Sequence, residues 1–397
     1  MKILSVNAGS SSLKFQVYEM PEEKVLIKGY VERIGEEDSF WTIRINDEKI
    51  KSARPLKNHD EAVEVLKEEL IKNKVVESLE EIKGVGHRVL HGGEKYSKPT
   101  VIDEKVISDI EELTKLGPLH HPGNLAGIKA LMEALPNVPH VAVFDTAFHQ
   151  TMPKRNFLYP LPYEWYEKYG VRKYGFHGTS YQYITTVMQK RLNRKDVNLI
   201  ICHIGSGASV ACVKDGQGYD TSMGITPLDG LLMGTRSGAI DASIIKYIMD
   251  ETGKTIDEVT NDLNKKSGFL GITGVADNRD VEELAAKGDD KAILALEMFA
   301  DRIAKYVMSY YMELDGKVDA IVFTAGVGEN GPDRRVDVLN RLKCIGVTIN
   351  KEANYNIASY LSEKEGIISG DDSSICALVI PTDEELMIAK DAALFVE

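Results

Sequence analysis

The chain has 397 residues, more than one hydrophobic core ordinarily supports, so two domains are expected. Hydrophobic residues at 43% and charged residues at 27% give a globular balance and exclude a disordered or fibrous chain. Against 48 Lys+Arg stand 61 Asp+Glu, a net charge of -13 with no basic block. That excludes nucleic acid as an expected partner and turns attention to isolated Arg and Lys residues inside Gly-rich segments.

Short apolar runs alternate with longer helical patterns along the chain. KILSV, GVGHRVL, HVAVFD, NLIICHIG, DAIVFTAG and SICALVI read as strands; EAVEVLKEELIKN, NLAGIKALMEAL, SYQYITTVMQKRL and KAILALEMFADRIAKYVMSYYM read as helices. The alternation predicts an α/β class with largely parallel strands covered on both faces. TMPKRNFLYPLPYEWYEKYG, with three prolines and six aromatics, interrupts the pattern and places a domain boundary near residue 150. The opening MKILSVNAGS is too short in apolar residues for a signal peptide, and no run approaches the length of a membrane span, so a cytoplasmic protein without a membrane partner is expected. Cys202, Cys212, Cys344 and Cys376 lie far apart without a CxxC pair and read as buried free thiols.

The first motif, VNAGSSSLK, puts small residues and Lys14 where a strand turns back, a shape that admits an anion and is also an ordinary tight turn. LIICHIGSGASVACVKD repeats its plan, with Asn7, Gly9, Ser10 and Val17 standing where His203, Gly205, Ser206 and Val213 stand later, which suggests a duplicated fold. GHRVLHGGE carries Arg88 into a His-Gly-Gly turn, and a guanidinium suits carboxylate or phosphate. His87 and His91 lack further ligands nearby and read as hydrogen-bonded histidines rather than a zinc pair. Asp145 ends a strand, where a functional carboxylate and a helix cap are equally supported. Phe176 and His177 precede a helix whose expected cap is Thr179 or Ser180, and Arg236 stands between glycines in a loop read as flexible. Gly326, Gly328 and Gly331 spell a GxGxxG that is weak in isolation, and no P-loop motif occurs. Thr382 or Asp383 is expected to cap the last helix, with Glu384 in its first turn.

Taken in order, VNAGSSSLK, GHRVLHGGE, GPLHHPGN, VFDTAFH, GFHGTS, HIGSG, GTRSG, ADNRD, GVGEN and PTDEEL resemble the acetate kinases, the acetokinase family of the acetate and sugar kinase, heat-shock protein and actin superfamily. The resemblance implies two duplicated ribonuclease H-like (actin-like ATPase) domains with five-stranded mixed sheets, residues 1–148 plus 384–397 and residues 149–383, with ATP in an interdomain cleft. Gly-rich cradles on both halves suggest a shared ligand, so the domains are expected to close on ATP. It implies Mg2+, or Mn2+, at Asn7 and Glu384. Nucleotide contacts are implied at Lys14, at His203, Ile204, Gly205, Ser206 and Gly207, at Asp277, Asn278 and Arg279, and at Gly326, Val327, Gly328, Glu329 and Asn330. Arg88 is implied to bind the acid, with Leu119, Phe176 and Pro227 around its alkyl end, and Asp145, His177 and Arg236 to be catalytic. Leu90, two residues beyond Arg88 on the same strand-like run, is expected on the same face and so at that alkyl end too. Acetate or acetyl phosphate, ATP or ADP and a second copy of the chain are the implied partners, in a reaction serving acetyl-CoA formation. A propionate or butyrate kinase and an actin-like structural ATPase are the alternatives. The family commonly has Asn at Ser206 and Val at Leu90; the first change removes an amide from the cradle, the second narrows the acid pocket.

Overall fold

The computed structural model describes residues 1–46, 48–358 and 364–396. The described chain divides into two compact units, one of residues 1–150, 178–182 and 383–397 and one of residues 151–177 and 183–382; the last residue of the first, Glu397, lies outside the described residues.

In the first unit the strands are β1 (Lys2–Ala8), β2 (Ser12–Glu19), β3 (Lys24–Glu32), β4 (Phe40–Ile45), β5 (Glu48–Ala53), β6 (Ile82–Val89), β7 (Thr100–Val101) and β8 (His140–Phe144). They form one sheet in the order β5-β4-β3-β2-β1-β6-β8-β7. β1, β6 and β8 run parallel, and β2 and β3 are antiparallel neighbours of β1. The five strands β3-β2-β1-β6-β8 are the core, and β4, β5 and β7 extend it beyond the five expected. β1 is buried from Ile3 to Val6 because helices cover it. By contrast β5, with Glu48, Lys49 and Lys51 exposed, is a charged edge that discourages pairing with another chain. Helix Glu384–Ala393 lies so close to β6 that a Cβ on Gly86 would sit 2.8 Å from the Ile388 carbonyl oxygen. Glycine there brings the helix, and Glu384 at its start, against the sheet.

In the second unit β9 (Leu199–Ile204), β10 (Ala208–Lys214), β11 (Gln217–Thr221), β12 (Ala320–Thr324), β13 (Gly366–Ile367) and β14 (Cys376–Val379) form a sheet in the order β11-β10-β9-β12-β14-β13. Here too three parallel strands, β9, β12 and β14, continue from an antiparallel hairpin. Helix Asp290–Glu313 is capped by the Asp289 carboxylate and buries Ala292, Ala295, Leu296, Phe299, Ala300, Ile303, Ala304 and Val307, the three- and four-residue spacing of a single apolar face. That face packs on β9 and β10.

The two hairpins share a plan but differ in detail. Ala8 pairs with Leu13 across residues 9–12, whereas Ile204 pairs with Ala208 across residues 205–207, so the second turn is one residue tighter. Cys202 and Cys212 are buried as expected, Cys376 is half-buried, and Cys344 is exposed because it lies in a short turn after helix Pro332–Arg341 rather than in a strand.

Candidate functional site

In the first unit a cavity of about 200 Å³ is lined by Asn7, Ala8, Gly9, Ser12, Lys14, Tyr30, Arg88, Leu90, His120 and Asn124. The hairpin register sets Asn7 directly opposite Lys14. Lys14 is exposed, and its ammonium lies 5.0 Å from the Tyr30 ring centroid. Arg88 projects from β6 and meets Asp145 just past β8: Nε donates to Oδ1 at 3.0 Å and Nη2 to Oδ2 at 2.6 Å. Asp145 is fully buried, and its carboxylate raises the Arg88 pKa, holding the guanidinium charged. So Asp145 orients an arginine instead of capping a helix. Helix Gly178–Leu192 also departs from expectation: its cap is His177, in the left-handed region at φ 58°, and neither Thr179 nor Ser180.

Asn124 is a contributor that nothing in the local sequence GPLHHPGN announces. Its Nδ2 donates to the Ala8 carbonyl at 2.7 Å and its Oδ1 accepts from the Leu90 N–H at 3.2 Å, tying the end of β1 to the turn after β6. His59 Nε2 hydrogen-bonds the Gly9 carbonyl at 2.8 Å. Its helix is capped by Asn58, a local signal that says nothing of this distant contact. Leu90 lies one residue beyond the end of β6, so strand alternation does not apply to it, yet it reaches the same cavity as Arg88. Leu119 is 58% exposed and does not line this cavity.

Glu384 is an unusual acid. Its Oε1 is buried without a hydrogen-bond partner, and burial pushes its carboxyl up to about 7, with Arg88 opposing and Asp145 adding to the rise. Asp383 caps the helix, accepting from the Leu386 N–H at 2.9 Å, so Glu384 is released from capping duty.

The second unit contains a cavity of about 640 Å³ whose lining includes Gly205, Ser206, Asp277, Asn278, Arg279, Gly326, Val327 and Asn330 from the residues expected to meet nucleotide. Gly234, Phe269, Ala276, Glu282 and Gly331 complete it. Asp277 caps helix Asn278–Ala286 and pairs with Arg279, which lowers the Asp277 carboxyl to about 2. The other expected residues support the walls. Ile204 is buried, and Glu329 accepts from the Ala325 and Thr382 N–H groups at 2.8 and 3.1 Å. The Gly328 carbonyl accepts from Arg335 at 2.8 Å. Arg335 is fully buried and also donates to the Glu329, Asn354 and Ile357 carbonyls, holding helix Ala325–Asn330 in place. Its charged neighbours in sequence gave no sign of that burial.

His177 Nδ1 hydrogen-bonds Ser209 Oγ at 2.8 Å, and its ring stacks on His203 with centroids 4.0 Å apart. A Cβ on Gly207 would lie 3.7 Å from both His177 Nε2 and Arg236 Nη1, so both side chains converge on the hairpin turn. Arg236 Nη1 donates to the Pro227 carbonyl at 3.2 Å, and burial lowers its pKa, which still leaves a guanidinium charged. Its loop is fixed rather than flexible: Met233 N–H bonds the Arg236 carbonyl, and Ser267, Phe269 and Leu270 N–H groups bond Thr235, Met233 and Gly234. Phe176 is buried.

Two sheets with a shared strand order, each opening on a Gly/Ser hairpin beside a cavity, define a two-unit α/β protein of the ribonuclease H-like type. The chain belongs to the acetokinase family, whose model matches residues 2–390. An acetate kinase of Anoxybacillus flavithermus is 55% identical over 393 residues, 98% of each chain, and one of Geobacillus sp. is 54% identical over the same coverage. Among solved structures, Porphyromonas gingivalis acetate kinase superposes with a TM-score of 0.93 at 41% identity, covering 99% of both chains. A propionate kinase from Francisella tularensis gives 0.94 at 42%, covering 100% of both.

Proposed function

We propose that the chain is an acetate kinase that transfers the terminal phosphoryl group of ATP to acetate, reversibly, giving acetyl phosphate and ADP. The observation that carries the reading is the Arg88–Asp145 pair: a guanidinium held charged on one edge by a buried carboxylate while lining a small polar cavity. A short carboxylic acid ionises near pH ~4 to 5, so it is already a nucleophile at neutral pH and needs no general base. Catalysis then rests on positioning and charge. In this reading Arg88 binds the carboxylate, Asp145 orients Arg88, and Leu90 meets the alkyl end. Arg236 and His177, converging on Gly207, offset charge on the transferring phosphoryl oxygens, and the 205–207 turn, Asp277 to Arg279 and Gly326 to Asn330 hold the nucleotide.

The orphaned, buried Oε1 of Glu384 fits a divalent cation, with Asn7, which lines the same unit's cavity, as its companion. Bound there, Mg2+ or Mn2+ would neutralise phosphate charge. A homodimer in the cytoplasm completes the proposal. Exposed Ile240, Ile244, Tyr247 and Ile256 of the second unit supply apolar surface for a dimer, and no helix among the described residues is long and apolar enough to cross a membrane.

The acid is the narrower question. The solved acetate kinase and propionate kinase are equally near at 41% and 42% identity, and it is the two bacterial relatives named acetate kinase, at 54–55%, that favour acetate. ADP formation followed by a coupled assay with acetate, with propionate and without acid tests the reading: turnover should require an acid and favour acetate. Acid-independent turnover would sink it in favour of an actin-like ATPase.

A further inference from the structure

In the cavity of the second unit, the nucleotide reading uses Asn278 but gives its neighbour Glu282 no part. Asn278 and Glu282 stand one turn apart on helix Asn278–Ala286, and both line the cavity. Asn278 Nδ2 donates to Glu282 Oε1 at 2.9 Å. The same carboxylate oxygen lies 3.1 Å from Arg334 Nε, and Arg334 Nη1 lies 3.0 Å from Asp337. Glu282 is therefore ion-paired with Arg334, and it in turn fixes which way the Asn278 amide points. The remaining amide atom, Asn278 Oδ1, is buried without a hydrogen-bond partner. An acceptor in that state is expensive unless a ligand supplies a donor. Phe269, Val327 and Gly326 give the cavity apolar surface suited to a flat heteroaromatic ring.

We propose that Asn278, oriented by Glu282 and Arg334, reads the nucleobase, selecting a purine that presents an amino group at C6 over one that presents a carbonyl there. The inference rests on the nucleotide reading of this cavity. An amino group donates to Asn278 Oδ1; a carbonyl in its place sets two acceptors against each other. Glu282 and Arg334 are positioning residues, since they act through the amide of Asn278.

The test is calorimetric titration of the full chain with ADP, IDP and 2′-deoxy-ADP, together with kcat/KM for ATP and ITP. The wild type should prefer the adenine nucleotide by about 10-fold or more. Glu282→Leu frees the amide to turn over, and the preference should fall by about 5-fold or more. Glu282→Gln, whose Oε1 still accepts from Asn278, should retain it, which a merely structural role for Glu282 does not require. Asn278→Ala should lose it independently, and melting curves establish that each variant is folded. Equal affinity of the wild type for ADP and IDP, or an unchanged ratio in folded Glu282→Leu or Asn278→Ala, overturns the base reading while the nucleotide site stands. So does a penalty seen only on removing the 2′-hydroxyl, which would put Asn278 on the ribose. A wild type that binds neither nucleotide overturns both.

Discussion

Asp391 sits in the last turn of helix Glu384–Ala393, 3% exposed, with Oδ2 lacking a hydrogen-bond partner and Oδ1 only 3.5 Å from Gln182 Nε2. A negative charge at a helix C-terminus also opposes the helix dipole. Burial raises its carboxyl from 3.8 to about 7. The unfolded chain ionises this acid near pH 4, whereas the folded chain must keep the proton until about 7, so the native state binds more protons over that interval and stability falls as pH rises through it. Each pH unit of the interval is worth about 1.4 kcal/mol, which gives about 4 kcal/mol of destabilisation at pH 8 and roughly 2 kcal/mol at pH 5. Asp391→Asn keeps the shape and removes the charge. It should raise stability at pH 8 by about 2 kcal/mol more than at pH 5, read as a difference of roughly 4–8 °C in melting temperature for a unit of this size. Thermal unfolding of both proteins at the two pH values measures this. A gain that does not grow with pH would show that Asp391 is not carrying an uncompensated charge.

Arg236→Ala should lower kcat by about 100-fold with little change in either KM, because its loop is fixed by backbone hydrogen bonds and the side chain is a placed charge; an effect confined to KM would refute that role in steady-state assays. Leu90→Ala should shift the acetate-to-propionate ratio of kcat/KM toward propionate by roughly 10-fold, since a few methylenes of pocket volume are at stake. A melting temperature that drops while the acid ratio stays put would place Leu90 in the core instead. Gly123→Ala should cost about 1–3 kcal/mol and weaken acid binding, because the new Cβ would lie 2.5 Å from the Gly9 backbone and push on the first hairpin. Wild-type melting temperature and acid KM in that variant would show that the contact is not tight.

The class of fold was legible in the sequence because buried parallel strands are written as unbroken apolar runs: LIICHI and AIVFT are buried at every position. The hairpins were legible because turns need particular residues, and Gly/Ser clusters between β-branched runs mark them locally. Arg88, Arg236 and the glycines of both cradles could be singled out for the same reason, since their chemistry is unusual for the segments that hold them. What each side chain meets is another matter. Asp145 supported a cap and a functional acid equally until β6 and β8 came together as neighbours and set it on Arg88, 57 residues away in sequence. Asn124, Arg335 and Glu282 look like ordinary polar residues of amphipathic helices; only the packed chain buries the first two against backbone carbonyls and sets the third beside an orphaned amide. Glu384 reads as dipole compensation at a helix start, yet close packing of that helix on Gly86 and the sheet strips it of water. Local residue chemistry determined the strands, turns and candidate charges; desolvation and partnership are properties of the packed chain, because they depend on atoms that sequence separation hides and tertiary contact alone brings within a few ångströms.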